Sequence, residues 1–251
     1  MDEEEIKITM FLNEKSVLIV GGSSGIGLGV AEALLYEWAT VTIVGRTQEK
    51  LRAARESLGF GDRLKTIAAD VTNEDQVRLL FDKSGTIDHL VVTRGVTSIG
   101  APAESLDLDS ARHFIDVMLV SALSLAKHAA PHIRRGGSIT FTSGISKDKP
   151  AIPGGAVLAA VAGSLGYLAR ALALELAPTR VNVVSPGWVE TPTWEEIAGP
   201  AKNQMWADMG KRVPAGRIAK PADIAKAYSF LLGSELTTGI VLKIDEGHAL
   251  V

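Results

Sequence analysis

The chain contains no cysteine, and this absence excludes disulfide bonds, thiolate catalysis and cysteine-ligated metal. A chain without cysteine also fits a reducing compartment. Its first residues include the acidic run Asp2-Glu3-Glu4-Glu5 instead of a basic segment followed by an apolar one, so a secretory signal is not expected. We therefore expect a cytoplasmic protein.

A large excess of charge of either sign is also missing. The chain has 26 basic and 29 acidic residues, for a formal net charge of −3. Because there is no broad basic field, neither nucleic acid nor an anionic membrane is an expected partner. The five histidines are scattered, so no metal site is expected. Residues 151–177 are apolar, but Arg170 and Glu175 interrupt them, which predicts a buried helix and not a membrane span. A small molecule is the remaining expected partner.

Short β-branched runs alternate with longer helical stretches along nearly the whole chain. Most of the short runs are too apolar to have a solvent-facing side. We therefore predict an α/β fold with one doubly wound, Rossmann-type parallel sheet of seven strands and helices on both faces. The predicted strands are 16–20, 40–44, 64–69, 87–93, 138–142, 180–185 and 239–244. The predicted helices are 25–38, 47–58, 73–84, 107–133, 153–177 and 221–233.

No linker or repeat interrupts this alternation, so residues 1–251 are predicted to form one domain. Residues 188–213 are the exception to the regular pattern. They contain Pro192, Pro200, three tryptophans and mixed charge, which predicts an irregular, flexible flap over a site.

A glycine-rich turn follows the first predicted strand and leads into the first predicted helix. It reads Gly21-Gly22-Ser23-Ser24-Gly25-Ile26-Gly27. The first N–H groups of a helix lack intrahelical partners and carry partial positive charge, so they stabilise a phosphate when no side chain blocks its approach. Glycines also serve tight turns, but a string in this strand–turn–helix context predicts dinucleotide binding.

The end of the second predicted strand bears on the choice between two nicotinamide nucleotides. A protein that prefers NAD typically carries an acidic residue there, whereas this chain has Arg46 followed by Thr47. A guanidinium binds a 2′-phosphate through paired hydrogen bonds, which favours NADP(H) over NAD(H); a solvated arginine is the alternative. Asp70, which ends the third predicted strand, either accepts a hydrogen bond from the adenine amino group or caps the next turn.

Further motifs are spread along the rest of the chain. They are Asp70-Val71-Thr72, the strand-four run ending at Gly95, residues 172–178 (LALELAP), Arg180-Val181-Asn182, Ser185-Pro186-Gly187 with Thr191, and the tail from Gly216-Arg217 through Asp245-Glu246-Gly247. Together with the glycine turn they resemble the short-chain dehydrogenase/reductase family over nearly the full length. The resemblance implies a nicotinamide cofactor bound across the sheet. It also implies a homodimer or homotetramer assembled through helices 107–133 and 153–177.

The glycine turn and the resemblance together define a set of expected cofactor-binding residues. By similarity, Pro186, Gly187 and Thr191 would lie at the nicotinamide end. The complete set is Gly21, Ser23, Ser24, Gly25, Ile26, Gly27, Arg46, Thr47, Asp70, Val71, Thr93, Gly95, Pro186, Gly187, Val189 and Thr191.

The residues that perform the family's usual proton transfer are missing. In that family a tyrosine exchanges a proton with the substrate, and a lysine one helical turn later lowers the pKa of the tyrosine. A serine at the preceding strand end holds the substrate oxygen, and an asparagine completes the relay. In this chain the tyrosine and lysine positions hold Leu158 and Ala162, and the serine and asparagine positions hold Gly144 and Met118. The standard mechanism is therefore not expected.

Neighbouring side chains offer no clear replacement. Residues 150–201 contain no lysine and one tyrosine, Tyr167, which lies more than two turns beyond the expected place. Arg94 stands where the family keeps a small residue, and it either binds an anion or turns to the surface. Ser143 is a minor candidate for the proton donor, and each remaining candidate is better explained by a structural or solvated role. These remaining candidates are Thr142, Lys147, Asp148, Lys149 and Glu190.

Three functions stay open at this point. The first is an NADP(H)-dependent oxidoreductase that acts on a small carbonyl or alcohol with a nonstandard proton donor. The second is a catalytically silent NADP(H)-binding protein that serves as a sensor, scaffold or partner subunit, and the third is non-redox chemistry. The glycine turn and Arg46 favour the first two. Trp188, Trp194 and Trp206 indicate an apolar or aromatic ligand, or only hold their own segment in place.

Overall fold

One seven-stranded sheet organises the protein, whose computed structural model describes residues 11–93, 101–151 and 154–251. The strands are all parallel, in the order β3-β2-β1-β4-β5-β6-β7. Their bounds are β1 Ser16–Val20, β2 Thr40–Gly45, β3 Leu64–Ala68, β4 Ile87–Val92, β5 Ile133–Thr142, β6 Arg180–Pro186 and β7 Val241–Ile244. The order reverses between β1 and β4, and ligands of doubly wound sheets bind at such a switch point.

Helices cover both faces of the sheet. The helices that build the two large cores are α1, α2 and α9 on one face and α3, α5 and α6 on the other. The bounds are α1 Gly25–Tyr36, α2 Gln48–Leu58, α3 Glu74–Ser84, α4 Leu108–Ile115, α5 Ser121–Ala129, α6 Ala156–Glu175, α7 Thr193–Ala198, α8 Lys202–Arg212 and α9 Pro221–Gly233. The doubly wound fold predicted from the sequence is confirmed.

The central strands are buried on both sides, which explains why most of their side chains are apolar. On β1, Val17 and Ile19 belong to the core beneath α1 and α9, while Leu18 and Val20 belong to the core beneath α5 and α6. Successive side chains of a strand point to opposite faces, so each face of the sheet needs its own apolar set.

The predicted helix 107–133 and the predicted strand 138–142 differ in detail from the structure. A π-helical turn, Asp116–Val120, separates α4 from α5, and the strand already begins at Ile133. The early part of β5 contains Arg134-Arg135-Gly136-Gly137, which has no apolar periodicity, and its pairing with β4 is irregular. The local pattern therefore concealed the first residues of this strand.

Residues 188–213, which the sequence predicts to be irregular, have regular secondary structure over most of their length, while their role as a flap over the site stays a prediction. Most of these residues form α7 and α8, joined by a 3-10 turn. Pro192 immediately precedes α7 and Pro200 lies in the turn before α8, where proline is compatible with a helix start. Trp188 and Trp206 pack on a small third core, which consists of Met209, Val213 and Ile218.

Two helical stretches are long and apolar enough to cross a membrane by length and composition, Leu108–His132 and Ala156–Glu175. Core helices of soluble proteins pass the same test, so this is weak evidence for a span. In the structure 39% and 28% of the two apolar windows are buried. Both stretches therefore expose much apolar surface in the single chain, so the helix predicted at 151–177 is present but is not buried as expected.

Candidate nucleotide and active site

The glycine turn lies at the carboxyl end of β1, beside the switch point of the sheet. Gly21 and Gly25 have φ values of 82° and 54°, which residues with a side chain rarely adopt. A Cβ atom at Gly22 would lie 2.6 Å from Ile43 Cγ2, and one at Gly27 would overlap the Gly21 carbonyl oxygen. The turn thus requires glycine for conformation and for close packing of α1 against the sheet.

The first turn of α1 presents open backbone donors. Ser24 is the N-cap residue, but its side chain makes no capping hydrogen bond. Among the described residues, no acceptor pairs with the N–H groups of Gly25, Ile26 and Gly27. Because the positive end of the helix dipole is here as well, this turn can hold a phosphate.

Arg46 follows the end of β2, close to the glycine turn. A Cβ atom at Gly45 would lie 3.3 Å from Ser23 Oγ, so the turn and the strand end are in contact. Arg46 is exposed and makes no ion pair within the described part of the chain. Thr47, the N-cap residue of α2, makes no side-chain capping bond. A guanidinium is therefore available for an anion beside the open helix end.

Asp70 caps the turn after β3. Its Oδ1 accepts hydrogen bonds from the Thr72 backbone N–H at 3.0 Å and from the Thr72 hydroxyl at 2.7 Å. Val71, the next residue, is buried in the core. The structure thus shows the turn-capping role of Asp70, while adenine binding by Asp70 stays a prediction.

The segment after β6 meets the glycine turn from the other side. A Cβ atom at Gly25 would lie 3.3 Å from Thr191 Cγ2, so two parts of the predicted cofactor site come together. Gly187 N–H donates to the Ile244 carbonyl at 2.9 Å, and Val189 pairs with Ala219 as a parallel bridge. Pro186 is the last residue of β6.

Thr93 connects β1 and β4 at the same edge. Its hydroxyl donates to the Val20 carbonyl at 2.9 Å, and a Cβ atom at Gly27 would overlap its Oγ1. Arg94 and Gly95, which were predicted to lie near the cofactor, fall outside the described residues.

The positions of the family's catalytic residues hold no proton donor. Leu158 and Ala162 lie on α6, and Ala162 is 4% exposed. Met118 lies in the π-helical turn, and Gly144 follows β5. Ser143, the minor candidate, donates its hydroxyl to the Ala162 carbonyl oxygen at 2.6 Å, so this hydroxyl is engaged with α6.

No tyrosine of the chain replaces the missing one. Tyr167 is 74% exposed, with the Arg170 guanidinium 5.8 Å from its ring centroid. Tyr228 is fully buried on α9, and its OH lies 2.5 Å from Thr142 Oγ1. Burial raises the pKa of Tyr228, which keeps its proton in place. The third, Tyr36, is exposed at the end of α1.

Lys147 and Asp148, two other candidates, are joined in a polar cluster at the end of β6. Lys147 Nζ donates to Ser185 Oγ at 2.8 Å and pairs with Asp148. Asp148 also pairs with Lys243 on β7 at 3.0 Å. These contacts give both candidates a structural role, and sequence reasoning did not single out Ser185 or Lys243 as their partners.

Glu246 is a residue of this edge that sequence reasoning missed. Its Oε1 accepts a hydrogen bond from the Ala219 N–H at 3.1 Å, while its buried Oε2 has no partner among the described residues. A Cβ atom at Gly187 would overlap this Oε2, so the carboxyl group lies against the predicted nicotinamide segment. Burial raises the pKa of Glu246 to about 7 and Asp245 adds to the shift, while the backbone N–H groups of Ala219 and Trp188 and the charge of Arg217 oppose it. Only the fold shows this proximity, because Glu246 is remote from Gly187 in sequence.

The tryptophans of segment 188–213 contact one another. The ring centroids of Trp188 and Trp194 are 4.4 Å apart, and those of Trp194 and Trp206 are 6.3 Å apart. The ring of His248, near the carboxyl end of the chain, is 5.9 Å from that of Trp188. These contacts hold the segment in place, which was one of the two interpretations left open.

Fold and site together define a doubly wound nucleotide-binding protein, and comparison with known proteins assigns its family. A family model described as enoyl-(acyl carrier protein) reductase matches residues 20–249. The short-chain dehydrogenase/reductase ATR9 of Stachybotrys chlorohalonatus is 35% identical over 254 residues, covering 94% of this chain and 97% of the relative. The chain belongs to the short-chain dehydrogenase/reductase family, as the sequence motifs predicted.

Solved structures are similar as well, and two of them are described here. The MalC reductase/Diels-Alderase of Malbranchea aurantiaca superposes with a TM-score of 0.89 at 29% identity, covering 96% of this chain and 98% of that one. A short chain oxidoreductase of Pseudomonas aeruginosa superposes with a TM-score of 0.85 at 28% identity, covering 93% and 96%. Its structure is described as NADPH-bound and as containing an atypical catalytic centre.

Proposed function

We propose that this protein is an NADP(H)-dependent oxidoreductase that acts on a small carbonyl or alcohol with a nonstandard proton donor. The observation that carries the proposal is the open amino end of α1 beside the unpaired guanidinium of Arg46, within the residues that the structure describes. Two linked phosphates and a 2′-phosphate need these two kinds of donor. When bound, the nucleotide would supply or accept the hydride.

The residues of the chain divide the work of binding. The N–H groups at Gly25 to Gly27 would hold the pyrophosphate, and Arg46 would hold the 2′-phosphate. Segment 186–191 would contact the nicotinamide end, which its contact with Gly25 through Thr191 supports. Thr93 would line the floor between these two regions.

The proton must come from a source other than the usual tyrosine, since Leu158 and Ala162 have no ionisable group. Loss of a positioned general acid costs about 10²- to 10⁴-fold in rate, while orientation of the hydride donor would remain. The Pseudomonas oxidoreductase, described as NADPH-bound with an atypical catalytic centre, supports a nucleotide-dependent function without the standard residues.

A catalytically silent NADP(H)-binding protein is the second candidate. The engagement of the Ser143 hydroxyl with the Ala162 carbonyl favours it, because this hydroxyl is turned toward α6. For either candidate we also propose a cytoplasmic protein that binds a small-molecule ligand and forms a homo-oligomer.

Calorimetric titration with NADPH and NADH, followed by a turnover screen on the same sample, tests the proposal. We expect saturable binding of NADPH, weaker binding of NADH, and slow nucleotide consumption with some carbonyls. Binding without turnover over a broad panel would favour the silent protein. Absence of binding to either nucleotide would overturn both candidates.

A further inference from the structure

The carboxyl group of Glu246 occupies an unusual place for an ionisable side chain. Its Oε1 accepts a hydrogen bond from the Ala219 N–H, its Oε2 is buried against Gly187, and the Trp188 backbone N–H also stabilises the ionised carboxyl group. Glu246 also has a φ of 56°, a conformation that non-glycine residues rarely adopt. The turn after β7 therefore holds the Glu246 carboxyl group in contact with Gly187, in the segment that would bind the nicotinamide.

The other charges near this carboxyl group do not neutralise it. The charge of Asp245, on the same turn, adds to the rise in the pKa of Glu246 that burial causes. The charge of Arg217, on the segment before α9, lowers this pKa. Arg217 itself is engaged with Asp223 through hydrogen bonds of 2.7 and 2.9 Å. With its pKa at about 7, Glu246 can exchange its proton near neutral pH.

We propose that Glu246 makes this site discriminate between the oxidised and the reduced nicotinamide nucleotide, an inference that rests on the proposed function. The oxidised nicotinamide ring carries a positive charge and the reduced ring does not. An ionised carboxylate behind Gly187 stabilises only the charged ring. Glu246 acts here through the nicotinamide segment, so it is a positioning residue and does not donate the substrate proton.

The sign of the pH dependence follows from this charge difference. NADP⁺ favours the ionised form of Glu246 and therefore lowers its pKa, whereas NADPH does not. The affinity for NADP⁺ relative to NADPH is then expected to rise as the pH increases through about 7. Each pKa unit by which NADP⁺ shifts Glu246 changes this ratio by about tenfold.

The experiment measures the dissociation constants of NADP⁺ and NADPH from about pH 5.5 to about pH 8.5. The second pKa of a phosphate also lies near 6, but both nucleotides carry the same 2′-phosphate, so its protonation cancels in the ratio. The ratio should rise with pH in the wild-type protein and stay flat in E246Q, which keeps an oxygen acceptor but cannot ionise. D208N, which removes one negative charge from α8, should behave like the wild type.

A measurement on the unmodified protein makes the test independent of how E246Q folds. Calorimetry near pH 7 in buffers of different ionisation enthalpy should show that NADP⁺ binding releases more protons than NADPH binding. A flat ratio in the wild type, equal proton release for both nucleotides, or a rising ratio retained in folded E246Q would overturn the inference while leaving the proposed function intact. If neither nucleotide binds, the proposed function itself fails.

Discussion

At the scale of single residues, Arg46 is the side chain on which nucleotide selectivity depends. Arg46→Ala is expected to weaken NADPH binding by about 10- to 100-fold, since hydrogen bonds to a charged group are worth about 1.5–3 kcal/mol. NADH binding should change little because NADH has no 2′-phosphate. Isothermal titration with both nucleotides measures the effect.

Arg52→Ala is the matched control for Arg46→Ala. Arg52 lies on α2, is 70% exposed and pairs loosely with Glu56 at 4.0 Å, so its removal takes away the same charge at some distance from the turn. Equal losses in both variants would show a general field effect and contradict a direct contact between Arg46 and the 2′-phosphate.

The buried side chain of His89 should make the stability of the protein depend on pH. It is 3% exposed on β4, its Nδ1 lies 2.9 Å from Ser138 Oγ, and burial lowers its pKa to about 4, helped by Arg180. Between about pH 6.5 and about pH 4, His89 is protonated in the unfolded chain and neutral in the folded chain. The free energy of unfolding therefore falls as the pH falls through this range. The loss contributed by His89 is at most about 3 kcal/mol.

Urea unfolding of wild type and His89→Gln across this pH range measures that contribution. The stability difference between the two proteins should change with pH, whereas His113→Gln, at an exposed position on α4, should follow the wild type. A difference between wild type and H89Q that is constant from neutral to acidic pH would refute a buried neutral histidine.

Some residues of the site could be found from the sequence and others could not. The glycines and Arg46 carry a local signal, because strand, turn and helix are adjacent along the chain. Glu246 belongs to the tail motif, but nothing local in the sequence indicates its contact with Gly187, since only the pairing of β6 with β7 brings the two together. The hydrogen bond of Ser143 to Ala162 was equally hidden, because it depends on how α6 lies across the end of β5.

At the scale of elements, the apolar sequence pattern predicted the buried strands well. It failed where tertiary contacts determine the secondary structure. β1 is apolar on both faces, and β2 and β4 are rich in buried β-branched and other apolar residues, so their sequences alone identify them. The start of β5 is polar, and the π-helical turn within the predicted helix 107–133 has no local signal. The prolines of segment 188–213 do not make it irregular, because they precede or begin helical turns there.

The amino ends of α1 and α3 differ in capping: the end of α3 is capped by a side chain, and that of α1 is left open. Asn73 caps α3 by accepting a hydrogen bond from the Gln76 N–H at 3.1 Å, whereas Ser24 makes no such bond on α1. Asn73→Ala should lower the free energy of unfolding by about 1 kcal/mol, while Ser24→Ala should change it little.

Urea unfolding checks both capping variants under identical conditions. A large loss in S24A would mean that the serine already satisfies the first turn of α1, and the open donors assigned to a phosphate would then be engaged by the protein itself. Comparable stabilities of N73A and wild type would contradict the observed cap on α3.

At the scale of the whole molecule, the parallel sheet gathers into one edge residues that are far apart in sequence. The glycine turn follows β1, Arg46 follows β2, and segment 186–191 starts at the last residue of β6. The carboxyl ends of parallel strands lie at one edge of the sheet. The site therefore depends on the order of strands more than on any single motif. The same architecture leaves the outer faces of α5 and α6 apolar and uncovered in the single chain.

Those outer faces predict assembly of the protein with copies of itself. Leu123 on α5 is 43% exposed, and Tyr167 and Leu174 on α6 are 74% and 83% exposed. Because α5 and α6 lie on the same face of the sheet, these exposed apolar side chains favour an interaction site there, and closed symmetric homo-oligomers are the commonest use of such sites. We expect a dimer or tetramer by gel filtration with light scattering at micromolar concentration.

Leu174→Glu should shift this assembly toward the monomer, because burying an unpaired carboxylate in an apolar interface costs several kcal/mol. Tyr36→Glu is the matched control, since Tyr36 is 68% exposed at the end of α1, away from α5 and α6. It should leave the measured mass unchanged. A wild-type monomer, or equal dissociation in both variants, would show that α5 and α6 do not form the subunit interface and that their exposed apolar side chains need another explanation.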